Sequence, residues 1–84
     1  MGYRWRKKVN RKELEQMRDY YAVNVKYAEE MIEFLKEYRW VSRAPDDQRS
    51  DDEVIQEQVE MHLRLIENYS RSIAMLEARI RGTE

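Results

Sequence analysis

Between Arg11 and Ala44 no glycine or proline interrupts the chain, and apolar side chains return at alternating steps of three and four. Leu14, Met17, Tyr21, Asn24, Ala28, Met31, Leu35 and Tyr38 trace this line. Such spacing keeps residues on one face of a helix and is the a/d seam of a heptad repeat. A second line at sevens, Tyr20, Tyr27, Phe34 and Val41, flanks it at the g positions, and Val25 and Ile32 flank it at e. The apolar stripe is therefore wider than a two-stranded seam requires.

The helix has a readable start. Asn10 is a good N-cap, and Glu13 stands three residues on, where a capping-box carboxylate belongs. Val9 and Leu14 have the spacing of a hydrophobic staple across that cap. Pro45 cannot continue a helix and disfavours helical geometry at Ala44, so the spacing predicts helix 1 over about 11–43. The segment APDDQRS is turn-rich and carries no large apolar residue, which predicts a loop over 44–50.

The pattern then restarts. Ser50 and Glu53 form a second capping box, and Asp51, Asp52 and Glu53 put negative charge in a first turn, where the helix dipole favours it. Ile55, Val59, His62, Ile66, Tyr69, Ile73, Leu76 and Ile80 make a cleaner 3–4 seam, predicting helix 2 over about 51–81. Glu60–Arg64, Glu67–Arg71 and Glu77–Arg81 are i,i+4 pairs in the favourable order, and Gly82 stands where a C′ glycine belongs. Two long helices joined by a short loop predict an antiparallel hairpin, a fold of the all-α class. The expected organisation is a basic arm over 1–9, one helical-hairpin domain over 10–82 and a tail at 83–84.

The width of the stripe carries the first functional expectation. A lone hairpin buries one narrow seam per helix and leaves the remaining apolar surface in water. Self-association, with two hairpins joining by two-fold symmetry into a four-helix bundle or a higher oligomer, buries it; so does a larger protein partner. A dimer is the favoured assembly. The expected interface is Tyr20, Tyr21, Val25, Tyr27, Ile32, Phe34, Leu35, Tyr38, Leu63, Ile66, Tyr69 and Ile73. The expected role is a non-enzymatic adaptor, regulator or inhibitor that binds a larger protein.

Three polar residues interrupt the seams: Asn24, His62 and Tyr69. Polar seam residues set register and oligomer state at a cost in stability. The competing reading makes the same three the lining of a ligand pocket inside the bundle. A di-iron site of bundle type needs inward glutamates and a Glu-x-x-His pair. Here Val59 stands three before His62, and Glu29, Glu30, Glu33 and Glu37 lie off the seam, so no metal is expected.

Composition narrows the rest. The 84 residues include no cysteine, one histidine, two glycines and one proline. Thiolate chemistry is excluded, no glycine-rich phosphate loop exists, and none of the serines has a nucleophile's context. No enzymatic activity and no cofactor are expected. A cysteine-free chain without an apolar run of membrane length, whose basic start lacks a signal peptide's apolar segment, predicts a cytoplasmic protein with no membrane partner.

The net charge of −1 hides a split. Residues 1–12 carry six positive charges and no acid, whereas residues 13–84 carry ten basic and seventeen acidic side chains. Arg11 and Lys12 belong to the first turn of helix 1. That leaves Tyr3, Arg4, Trp5, Arg6, Lys7 and Lys8 as an arm with two expected uses. In one, the arms of a dimer neutralise phosphates of a nucleic acid while the aromatics stack on bases. In the other, the arm docks on the acidic body of its own or another protein.

Overall fold

The computed structural model describes residues 9–39, 41 and 44–82. Two α-helices, α1 (Arg11–Tyr38) and α2 (Asp51–Gly82), make up its regular structure, with no strand among the described residues. At 1.5 Å per residue, their 28 and 32 residues give rods about 42 and 48 Å long.

Both expected capping boxes form. The Asn10 side chain accepts the Glu13 N–H at 2.9 Å, and Glu13 accepts the Asn10 N–H at 3.3 Å. At the second cap, Ser50 Oγ accepts the Glu53 N–H at 3.2 Å, while Glu53 accepts from the Ser50 N–H at 3.1 Å. Each box satisfies donors that a helix start otherwise leaves without partners. Val9 remains exposed beside the first cap, while Leu14 turns into the core.

The helices run antiparallel, as their two apolar clusters show. Leu14 at the start of α1 packs with Leu76 and Ile80 at the end of α2, and half-buried Tyr21 packs against them. Leu35 at the end of α1 packs with Ile55 and Val59 at the start of α2, joined by Ile32 and Val41. Ala28, small and buried, occupies the middle of α1 between these clusters.

α1 stops at Tyr38, short of the boundary expected at 43, and Pro45 is not what stops it. Arg39 takes the left-handed conformation, with φ 52° and ψ 37°, and its N–H donates to the Leu35 carbonyl at 3.0 Å. That geometry is a helix C-cap usually given to glycine or asparagine. Had α1 continued, Val41 would sit at a g position, turned away from α2. The early stop lets Val41 fold back onto Leu35, Ile55 and Val59, and the burial offsets the cost of the left-handed residue.

Beyond the cap, Ala44 and Asp47 close a turn through a 3.0 Å backbone bond, with Pro45 at its second position, where a fixed φ suits it. At the other end of α2 Gly82 is still helical and its φ is not positive, so the expected C′ role is not taken.

Candidate interaction surface

The two helices spend their apolar faces differently. On α2, all eight expected seam residues are buried or half-buried. On α1, the expected a/d seam is only half used. Leu14, Tyr21, Ala28 and Leu35, the a positions, face α2, but the residues beside them there are Arg18, Val25 and Ile32 at e. Of the d positions, Met17, Met31 and Tyr38 are exposed and Asn24 is half-buried, which corrects the expectation that all four lie in the seam. α2 therefore sits between the a and e lines of α1.

The displaced d residues join the g line to make a second heptad stripe: Met17, Tyr20, Asn24, Tyr27, Met31, Phe34 and Tyr38. Their steps are again three and four. At about 100° per residue, this stripe lies roughly 110° round α1 from the one that holds α2. Its apolar members are exposed by 44% (Met17), 66% (Tyr20), 64% (Tyr27), 41% (Met31), 41% (Phe34) and 66% (Tyr38).

Three shallow grooves follow the stripe along one side of the hairpin. The first, of about 390 Å³, is lined by Val9, Glu13, Gln16, Met17, Tyr20 and Tyr21. The second, of about 240 Å³, crosses to α2 and includes Asn24, Tyr27, Met31, His62, Leu65 and Tyr69. The third, of about 420 Å³, lies over Tyr27, Glu30, Met31 and Phe34 and shares two of those residues with the second. Ring contacts stiffen both ends. Tyr21 touches Tyr20 and Tyr69, at centroid separations of 5.7 and 5.6 Å, and Phe34 meets Tyr38 at 5.1 Å. Offset and edge contacts of this kind hold aromatic side chains in defined positions.

The structure thus divides the residues expected at an interface. Tyr21, Val25, Ile32, Leu35, Ile66, Tyr69 and Ile73 are buried or half-buried within the hairpin. Tyr20, Tyr27, Phe34, Tyr38 and Leu63 remain exposed, the first four on the α1 stripe. Leu63 is at an e position of α2, across the helix from Leu65. The arm residues Tyr3, Arg4, Trp5, Arg6, Lys7 and Lys8 lie outside the described residues.

Asn24, His62 and Tyr69 do come together, in the second groove. Asn24 Nδ2–H donates to the Tyr20 carbonyl at 2.8 Å, one turn back on its own helix. His62 Nδ1 lies 2.7 Å from the Gln58 carbonyl. A carbonyl only accepts, so Nδ1 carries the proton and, in the neutral ring, Nε2 keeps a lone pair. One polar end of each side chain is therefore satisfied within its own helix. The Asn24 amide oxygen, its second N–H and His62 Nε2 keep capacity for a further partner.

The acidic corner is organised by arginines. Asp47 accepts the Arg49 backbone N–H at 3.0 Å and its guanidinium at 2.7–3.2 Å, and Arg49 reaches Glu57 at 2.8 Å. The Asp47 hydrogen bonds hold the Arg49 pKa above its ordinary value against an opposing desolvation, and the charges of Asp47 and Glu57 add to the rise. Arg39 pairs with Asp52, tying the cap of α1 to the first turn of α2. Of the expected i,i+4 pairs, Glu67–Arg71 closes at 3.0 Å, while Glu60 accepts from Gln56 at 3.2 Å. Among the described residues no group of three or more His, Asp or Glu is placed to hold a metal ion, and no helix is long and apolar enough to cross a membrane.

Val54 was not among the expected core positions, yet it is one of the two most deeply buried side chains. It follows Glu53 in the first turn of α2, at a c position outside the 3–4 seam. Periodicity alone gives no signal for it.

No protein-family model, curated protein or solved structure matches this chain.

Proposed function

We propose that the chain is a non-enzymatic interaction module that self-associates through its helical hairpin and serves as an adaptor, regulator or inhibitor of a larger protein. One observation carries the reading: α1 has two heptad stripes, and α2 covers only one. Among the described residues, a single layer of two helices has no element left to cover the other. The hairpin measures 52 × 31 × 14 Å, so in its thin direction it is little more than one helix deep. Its radius of gyration is 18.3 Å, where a compact domain of 84 residues has about 12 Å. The chain exposes 6843 Å², where a compact monomer of its mass exposes about 5,400 Å². Burial of apolar surface against a partner is what brings such a molecule toward the usual compactness.

The larger partner engages what the assembly leaves outside, whether the remaining apolar edge or the acidic corner around Asp46, Asp51 and Asp52. The cytoplasm is part of the same proposal, a reducing compartment with which a cysteine-free chain is compatible. Sedimentation equilibrium of the pure protein between 1 and 100 µM tests the central claim. We expect a mass above the 10.4 kDa of one chain, rising with concentration. A monomer at 100 µM that keeps full helicity by circular dichroism would refute it.

A further inference from the structure

We infer that the exposed stripe of α1 is a homodimer seam, in which α1 of one copy packs antiparallel against α1 of a second copy, with Asn24 at the two-fold axis. The assignment rests on the self-association proposed above and specifies the surface, the occupant and the orientation.

The spacing identifies the kind of occupant. A 3–4 stripe from Met17 to Tyr38 is built to receive another helix, because knobs at those intervals meet the holes of a facing helix. Two such stripes a little more than a quarter turn apart on one helix are what a bundle helix needs, one for each neighbour. α2 also exposes Met61, Leu63, Leu65 and Met75, but these are scattered over its c, e and g positions and make no continuous 3–4 line. Beside its seam the g positions are Gln58, Leu65, Ser72 and Arg79, of which only Leu65 is apolar. The docking helix is therefore α1.

Area favours a second copy. Taking roughly 200 Å² for each full side chain, the exposed fractions of the stripe's six apolar residues leave roughly 600 Å² open. A stable interface takes roughly 800 Å² from each partner. Leu65 and the stripe's edges supply the difference, so the surface has the size of one protomer's share of a symmetric contact.

Charge selects the orientation. Residues 29–37 carry Glu29, Glu30, Glu33 and Glu37 against Lys36 alone. Across an axis at Asn24, antiparallel docking sets this acidic half of each α1 opposite residues 11–19 of the other, where Arg11, Lys12 and Arg18 balance Glu13, Glu15 and Asp19. Parallel docking would stack like on like.

Asn24 supplies the register. It is the one non-aromatic polar residue in the stripe, and an amide buried opposite anything apolar loses its hydrogen bonds. Facing its own copy across the axis, each Asn24 can accept at its amide oxygen from the other. Single polar residues at seam positions fix register in this way.

The absence of cysteine makes the test clean, since one introduced thiol reports one contact. Under mild oxidation of the native full chain, Asn24→Cys is expected to form a covalent dimer. Met17→Cys alone is not: seven residues from the axis, its two copies would lie about 21 Å apart, well beyond the roughly 7 Å between Cα atoms that a disulfide spans. Lys26→Cys, on the far side of α1, is the negative control. In sedimentation, Tyr27→Glu is expected to weaken association at least a hundredfold, while Ala22→Glu, opposite the stripe, leaves it unchanged.

Cross-linking at Met17 as fast as at Asn24 would overturn the antiparallel arrangement. An oligomer that neither cross-links at Asn24 nor responds to Tyr27→Glu would overturn the seam while leaving self-association standing. A helical monomer of the unmodified chain would remove both and leave the stripe to a helix of another protein. The cross-links are read on folded protein, so they decide the matter even if Tyr27→Glu unfolds with its loss of partner.

Discussion

Replacing Leu35 by alanine probes the better-packed end of the hairpin. Leu35 is 1% exposed and is enclosed by Ile55 and Val59, with Ile32 and Val41 over its rim. The substitution removes the equivalent of about three methylenes. At about 0.8 kcal/mol each, that is about 2.4 kcal/mol of lost transfer free energy. A cavity term adds to it, giving the usual range of about 2–5 kcal/mol for Leu→Ala in a core. Ile32 and Val41 are only half-buried and can settle inward, which lowers the cavity term. We therefore expect a loss of about 3 kcal/mol. A chain of this size has a total stability of about 4–13 kcal/mol, so the variant should melt about 12–24 °C lower. Urea titration followed at 222 nm measures it, with wild type and variant at the same protein concentration because association contributes to apparent stability. A loss under 1 kcal/mol with an unchanged urea dependence would show that the Leu35 cluster is not a packed core. It would also remove the reason given for the early stop of α1, since Val41 would then have nothing to fold back onto.

Three further substitutions test individual steps of the fold. Asn10→Ala and Ser50→Ala should each cost about 1 kcal/mol in the same titration, because each opens a capping box that satisfies helix-start donors. At the left-handed Arg39, Arg39→Val should cost about 1–2 kcal/mol, since a β-branched residue is strained at positive φ, whereas Arg39→Gly should be neutral or stabilising; equal effects would contradict the backbone geometry described. Val54→Thr keeps the shape of a fully buried side chain and adds one hydroxyl, so thermal melts should report a loss of about 1–2 kcal/mol, and no loss would place Val54 in water.

The Arg49 cluster gives a prediction of sign rather than size. Its guanidinium pKa is raised by Asp47, so any stability it contributes is present below the ordinary arginine value and is lost only as pH rises through the raised one. Helicity followed from pH 7 to 11 should therefore show no step that Arg49→Gln removes. Such a step would mean that the guanidinium loses its proton well below the ordinary arginine value, the opposite of the direction in which Asp47 shifts it.

What the sequence alone determined is what neighbouring residues decide among themselves. A capping box needs only residues three apart, so Asn10–Glu13 and Ser50–Glu53 were legible and both form. Helix identity and the seam of α2 were legible for the same reason, because a 3–4 apolar line with polar residues around it has one face to bury. Only tertiary packing decided which face of α1 meets α2. Its a, d, e and g lines all carry apolar residues, and a local pattern cannot rank them. Packing placed α2 between a and e, where Val25 and Ile32 lie beside Leu35 and Ala28, and left the aromatic and methionine lines outside. The end of α1 was equally non-local. Nothing near Arg39 marks a left-handed cap, and it forms because Val41 finds apolar surface on α2. The candidate interaction surface follows from the same cause. Its residues could be named from their spacing, but which of them stay exposed depends on the face that α2 occupies.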